Sequence, residues 1–430
     1  MWAQVIIRVI LYLKKSSVNC HIDLLSSYVI TILHGVANMY LFYDSRWDMV
    51  TGAQKSMLSL AEGLRERHKV ELEIASVGMG PQLAYARSLG FKVSSLGRIK
   101  VSAGFARGSS LMTLFAHVFR LFSLFIAAFF GAWLVYKRKP HIIYINDAYG
   151  VVVFGITALI MKIPLVYYVR SDKKIIFFSR LALILSDKVF FISEGVSYAF
   201  SKKDLYKHRE KIEVLMTGFK KALPISNCKL DAIAGLNREQ CADLNDLEYP
   251  VYLLLGSYDP RKGHLDAVDA FEIVRNKLGK GKLVFAGHET YESQYISKLK
   301  RHASKLNVID DIIFLSSTKY PDVLLSLCDV VILPSKSEGL PRVLIEGLMQ
   351  GTPAISYPVS GADIILRTDL EGTVTESADP VLLAEAMIEW YNKLSSEDNV
   401  SSRQKRINSS SRFDYNNFVD SFYISVQSIS

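Results

Sequence analysis

Glu338 and Glu346 stand eight positions apart around a Gly339-Leu340-Pro341 step that suits the start of a helix. Proline fits a first helical turn because its missing N–H costs nothing there. Backbone N–H groups at Gly339, Leu340 and that first turn, together with the positive end of the helix dipole, attract an anion such as a diphosphate. Carboxylates aimed at the anion itself would repel it, so the two glutamates suit hydroxyls beside it. A ligand with hydroxyls on both sides of a diphosphate is a nucleotide-sugar. A second stretch, Gly256-Ser257-Tyr258-Asp259-Pro260-Arg261-Lys262-Gly263-His264, supplies a glycine that lets backbone approach a phosphate and a lysine that gives it a point charge.

Both stretches need strands to hold them. Asp329 to Pro334 is a short apolar run rich in β-branched residues, as expected of a strand buried on both faces of a parallel sheet. A helix is expected from Pro341 to a stop at Gly351 and Pro353, then a second strand over Ala354 to Tyr357. Val251 to Leu255 is the strand that precedes Gly256. Ligands of open α/β folds bind at the carboxyl edge of such strands, where both stretches fall.

Glu338-Gly339-Leu340-Pro341 followed by Glu346 resembles the E-x7-E motif of the family-4 retaining glycosyltransferases of GT-B fold. The Leu-Pro-Ser before it and the Gly-Thr-Pro after it keep the same register. The resemblance implies that Glu338 contacts the donor sugar, that Glu346 contacts the nucleotide ribose, and that Gly339 to Pro341 give backbone contacts to the sugar-phosphate end. The Gly256 to His264 stretch resembles that family's G-R-x4-K-G element, which implies that Lys262, with Gly256 and Gly263, holds the diphosphate. Ser257 occupies the family's arginine position, and Arg261 is the substitute from the far side of the loop. The other reading of each feature, solvated charges on a helix and a basic turn, stands against two motifs in register.

Composition bounds the rest. Half of the residues are hydrophobic, ample for large cores, and the length suggests two to three domains. Cys20, Cys228, Cys241 and Cys328 form no C-x-x-C pair, so neither a zinc site nor a disulfide framework is indicated. The net charge of +9 is uneven: residues 1–220 hold 29 Lys and Arg against 14 Asp and Glu, and residues 221–430 hold 22 against 28. No nucleic-acid-binding signature accompanies the basic half. An anionic membrane surface or a phosphorylated acceptor is the expected partner, beside the alternative of an unspecialised basic surface. The chain has no D-x-D, which agrees with a donor site that needs neither metal nor other cofactor.

On the acceptor side, Met39 to Tyr43 is the first convincing core strand and ends at Asp44. Residues 1–38 read as an over-extended frame or a dispensable appendage; the rival reading is an amphipathic membrane anchor. Gly52 lies in a loop that resembles the family's glycine-containing first loop. Leu111 to Tyr136 is the most apolar stretch, its uncharged part Leu121 to Tyr136 is short of a span, and Lys137, Arg138 and Lys139 follow at once. The readings, in order, are a helix on the sheet with one face on the membrane surface, a core helix, and a transmembrane helix. The strand His-Ile-Ile-Tyr-Ile leads to Asn146 and Asp147, where many relatives carry a histidine near the transferred sugar. Asn146 can hydrogen-bond a sugar but cannot titrate; Asp147 is a candidate base or, as the preferred reading, a solvated loop carboxylate. Arg170, after strand Leu165 to Val169, is expected on the polar rim.

The expected architecture is α/β: a GT-B pair of Rossmann-like parallel-sheet domains facing a cleft. It comprises residues 39–220 for the acceptor, 221–412 for the nucleotide-sugar, and a terminal helix over 413–430 crossing back. The expected function is transfer of a hexosyl or related sugar to a membrane-associated or lipid-linked glycan in cell-surface polysaccharide assembly, with retention by resemblance. The expected place is cytoplasmic, peripheral on the inner membrane face. The rivals are a nucleotide-sugar epimerase and a non-catalytic partner subunit.

Overall fold

A computed structural model describes residues 39–429 apart from 49, 98–109, 171–175, 221–249, 290–293, 319 and 397. Residues 1–38 lie outside the described residues, as does nearly all of the mostly polar stretch 220–247, where the sequence leads one to expect the connection between the domains. The first part of the chain alternates strand and helix. In order these are β1 (Met39–Asp44), α1 (Gly52–His68), β2 (Glu71–Ser76), α2 (Pro81–Ser88), β3 (Lys92–Ser95), α3 (Ser110–Arg138), β4 (Ile142–Ile145), α4 (Ala148–Met161), β5 (Leu165–Val169), α5 (Ile176–Leu185), β6 (Lys188–Phe191), α6 (Lys202–Lys207) and β7 (Ile212–Val214). The seven strands form one sheet in the order β3-β2-β1-β4-β5-β6-β7. β1 pairs in parallel with β2 and β4, and its core residues Leu41, Phe42 and Tyr43 have no exposure. Burial on both faces is what the continuous apolar run demands.

The second part repeats the alternation. It runs β8 (Val251–Leu255), α7 (His264–Leu278), β9 (Lys282–Ala286), α8 (Tyr295–Lys305), β10 (Ile312–Leu315), α9 (Pro321–Leu327), β11 (Val330–Leu333), α10 (Arg342–Met349), β12 (Ala354–Ser356), α11 (Ala362–Ile365), β13 (Gly372–Val374), α12 (Pro380–Ser396), α13 (Asn399–Ser409) and α14 (Tyr415–Gln427). Its six strands lie in the order β10-β9-β8-β11-β12-β13, with every described pairing parallel. Val330, Ile332, Tyr252 and Leu254 meet Val268, Phe271 and Trp390 in its core. The expected strands and helices are thus present, in two parallel-sheet α/β domains; the mostly polar residues 399–409 form the helix α13.

Compactness divides the chain at points different from the sheet boundaries. The described residues up to Tyr167, with those of Leu181–Lys188 and from Ser425 on, make one unit, and the described residues of Tyr168–Arg180 with those of Val189–Ile424 make the other. In the first unit the Gln427 side-chain amide donates to the Tyr40 hydroxyl at 2.8 Å, and Val426 is fully buried. Among the described residues no helix is long and apolar enough to cross a membrane.

Candidate functional site

The strand order of the second sheet reverses direction between β8 and β11. β8 connects outward to β9 on one side and β11 to β12 on the other, and in open α/β sheets such a reversal is where ligands bind, at the carboxyl ends of the strands. The loop after β8 holds Gly256, Arg261, Lys262 and Gly263; the loop after β11 holds Glu338, Gly339, Leu340 and Pro341. Sequence spacing set these residues 76 positions apart, and the β8–β11 pairing brings them together. Lys262 Nζ lies 2.7 Å from Glu338 Oε1, both side chains mostly buried at 18% and 11% exposure.

Local backbone explains the approach. Asp259 caps a short 3-10 turn, Pro260–Lys262, by accepting from the Arg261 N–H at 2.8 Å. Gly263 then takes a left-handed φ of 73°, and a Cβ there would stand 1.9 Å from the Pro334 carbonyl oxygen. Only glycine satisfies both the dihedral and the contact. The Lys336 N–H donates to the Arg261 carbonyl at 2.8 Å, and the Arg261 guanidinium reaches the Ser337 carbonyl at 3.4 Å. Arg261 is therefore placed against the glutamate loop. Gly256 continues the ladder, donating to the Ala286 carbonyl at 2.9 Å.

Pro341 occupies the N-cap of α10, one residue ahead of the expected first helical position, and no side chain caps that end. The uncapped amino end of α10 and the Lys262 ammonium both contribute positive potential here. Glu346 sits one turn into the helix, where Arg342 Nη2 reaches its Oε1 at 3.1 Å; the Arg342 guanidinium also lies over the Phe219 ring at 5.1 Å. Arg342 adds a cation at the same helix start, a residue the motif reading passed over. His264, next to Gly263, is fully buried, with its ring 5.2 Å from that of Tyr258; burial pushes its pKa down to about 4, so it packs as a neutral ring.

The first sheet reverses its order between β1 and β4, and a second polar cluster sits at the carboxyl ends of those strands. Asp44, 1% exposed, accepts from Asn146 Nδ2 at 2.5 Å, Gln54 Nε2 at 2.8 Å and the Arg46 N–H at 2.8 Å. Asn146 in turn accepts from the Tyr144 hydroxyl at 3.1 Å. Its side chain is thus buried and engaged on both ends. Asp147 differs from the solvated loop carboxylate expected of it. It is the N-cap of α4, accepting from the Tyr149, Gly150 and Ser45 N–H groups at 2.9, 3.0 and 2.7 Å. Burial, opposed by these donors, raises the pKa of Asp147. Burial and then the Asp147 charge raise Asp44 to about 6, against the hydrogen bonds from Asn146, Arg46 and Gln54.

Gly52 is the first residue of α1, not a loop residue, and Gln54 reaches back to the Thr51 N–H at 3.1 Å in a capping box. Gln54 thereby ties the start of α1 to Asp44. Arg170, beyond β5, stacks over Tyr168 at 4.1 Å and donates to Thr217 Oγ1 at 3.3 Å. Asp44 and Gln54 were missed in the sequence; the readable signal was a Thr-x-x-Gln pair at a helix start.

Comparison with known proteins adds to this geometry. Residues 239–407 match the family model described as glycosyl transferases group 1. The chain is 32% identical over 90 residues to the Vi polysaccharide biosynthesis protein VipC/TviE of Salmonella typhi, across 21% of this chain and 16% of that protein. It is 26% identical over 163 residues to the uncharacterized glycosyltransferase MJ1178 of Methanocaldococcus jannaschii, across 37% of this chain and 42% of that protein. The chain thus spans less than half the length of these curated relatives. Among solved structures, Anabaena Alr3699/HepE in complex with UDP superposes with a TM-score of 0.71 at 18% identity, over 91% of this chain and 99% of that one. At that identity the likeness is one of fold. The chain therefore carries a glycosyl transferases group 1 match over residues 239–407, on a GT-B fold of two Rossmann-like parallel-sheet domains.

Proposed function

We propose that the protein is a glycosyltransferase that takes a sugar from a nucleotide-sugar bound at the carboxyl ends of β8 and β11. The observation that carries this reading is the meeting of Lys262 and Glu338 at 2.7 Å, a phosphate cation and a hydroxyl acceptor brought together across one switch point. The donor diphosphate lies at the amino end of α10, with Lys262, Arg261 and Arg342 supplying charge. Glu338 accepts from sugar hydroxyls and Glu346 from the ribose. As the glycosidic bond breaks, negative charge grows on the diphosphate, and Lys262 with the helix end stabilises it where it forms. In this reading the protein's own cations and dipole meet that charge, and no metal is required.

The match of residues 239–407 and the HepE structures, which hold UDP and UDP-glucose, support the nucleotide-sugar class and a hexosyl group. The VipC/TviE likeness supports a place in surface polysaccharide assembly. The acceptor is a membrane-associated or lipid-linked glycan, presented near the Asp44–Asn146 cluster, with the enzyme peripheral on the cytoplasmic face. Retention of the anomeric configuration belongs to the same reading. The test is a thermal-shift screen of nucleotide-sugars on wild type and Glu346→Ala, since a ligand at a hundredfold excess over its Kd stabilises by about 2.7 kcal/mol. One donor should raise the midpoint of the wild type alone. If no donor moves the well-folded wild type, the reading is wrong.

A further inference from the structure

The helices that cover one face of the first sheet present apolar residues on both of their sides. On α3, Ala127, Leu134 and Val135 are buried, while Phe125, Phe129, Trp133 and Tyr136 run down the opposite side at 73, 67, 56 and 70% exposure. Their spacing of four, four and three residues puts them on one stripe. α4 lies alongside, because Gly131 fits against Val153 and Phe154; its outer residues Ile156, Leu159 and Ile160 are 63, 70 and 74% exposed. Gly155 fits in turn against Leu185 of α5, whose Ile184 is half exposed. A continuous apolar face of this kind is uncommon on a protein surrounded only by water.

The charge on these helices is of one sign. The sequences of α3, α4 and α5 contain no Asp or Glu. Because the strands are parallel, the carboxyl ends of α3 and α4 both lie at the amino edge of the sheet. That edge carries exposed Lys137 and Lys139, with Lys162 just past the end of α4. The Lys137 ammonium stands 4.9 Å from the Trp133 ring centre, joining the cationic rim to the aromatic stripe. At the same edge Glu73 is paired with Arg138 at 2.8 Å and Glu71 with Lys92 at 3.5 Å, which leaves Lys137, Lys139 and Lys162 as the cations beside the rings. Aromatic rings that carry apolar area into the headgroup boundary, beside such lysines and on helices without carboxylates of their own, are complementary to an anionic lipid surface.

We infer that the outer face of α3, α4 and the end of α5 docks on an anionic phospholipid bilayer, with the rings in the headgroup boundary and Lys137, Lys139 and Lys162 on the phosphates. The inference stands apart from the donor site, since lipid binding needs neither nucleotide nor transfer. The experiment is co-sedimentation of the full chain with phosphatidylcholine vesicles, with and without phosphatidylglycerol. It is done on wild type, on Phe129→Ser with Trp133→Ser, and on Lys137→Ala with Lys139→Ala, each first shown to keep the wild-type circular dichroism and thermal midpoint.

The wild type should partition onto the anionic vesicles and be released by salt. The aromatic pair should lose at least about tenfold in partition, and the lysine pair should lose its preference for anionic over neutral vesicles. Should the aromatic pair not fold, the lysine pair alone decides. Three results overturn the inference. One is no partition by the wild type. Another is partition unchanged in both variants, or lost only on removal of residues 1–38. The third is a concentration-dependent dimer that Trp133→Ser dissociates, which would make a second copy the occupant.

Discussion

Lys262 and Glu338 hold each other's charge at 2.7 Å, and in the proposed function a nucleotide-sugar separates them, moving the ammonium to phosphate and the carboxylate to hydroxyls. A nucleoside diphosphate without a sugar gains the first contact and leaves Glu338 unpaired beside an anion. Glu338→Gln is therefore expected to bind the free nucleoside diphosphate about threefold to tenfold tighter by titration calorimetry, while sugar transfer falls about a hundredfold or more. Lys262→Ala should weaken both donor and diphosphate. A Glu338→Gln variant that binds the diphosphate more weakly would mean that the pair is structural. These residues were legible because each sits in a short motif with its own strand and turn. Asp44 was not, since its partner Asn146 lies 102 positions away and only the pairing of β1 with β4 joins them.

At the scale of elements, the proposed donor site depends on how closely the turn after β8 lies against the end of β11. Gly263→Ala adds a Cβ 1.9 Å from the Pro334 oxygen at a φ of 73°, a clash and a dihedral penalty together. The two loops must then part, and the variant should lose on the order of 2 kcal/mol or more of stability. Nucleotide-sugar stabilisation should vanish with it, both read by thermal denaturation. Retained donor binding would show that the close approach is dispensable. Strand and helix order was readable because buried strands are continuous apolar runs and the breaks carry Gly and Pro. The outer face of the helical layer was readable only in part. An apolar stripe on α3 shows in one segment, but its extension onto Ile156, Leu159 and Ile160 depends on which side of α4 meets the sheet.

For the whole molecule, the cluster at the first switch point links stability to pH. Asp44 titrates at about 6 in the folded state, above the ordinary carboxyl value of 3.8. The folded state then binds the proton more tightly, so Asp44 costs nothing below about pH 4 and destabilises increasingly as pH rises through 6. At about 1.4 kcal/mol per pKa unit the change is on the order of 3 kcal/mol. Denaturation midpoints of wild type and Asp44→Asn, compared from pH 4 to 7.5, should converge or favour wild type at the acid end, shift against wild type between about pH 4 and 6, and level off above that. A constant difference would exclude this linkage. Stability should also depend on the residues from Ser425, where Val426 is buried and Gln427 holds Tyr40. Their deletion should cost about 2–4 kcal/mol in chemical denaturation, and an unchanged midpoint would show that α14 is an appendage. That bond spans 387 positions, so during synthesis β1 leaves the ribosome long before Gln427 exists. The nascent first sheet must wait, with the surface around Tyr40 uncovered, while the whole second sheet is translated. Chaperone binding during translation is expected to concentrate on that surface.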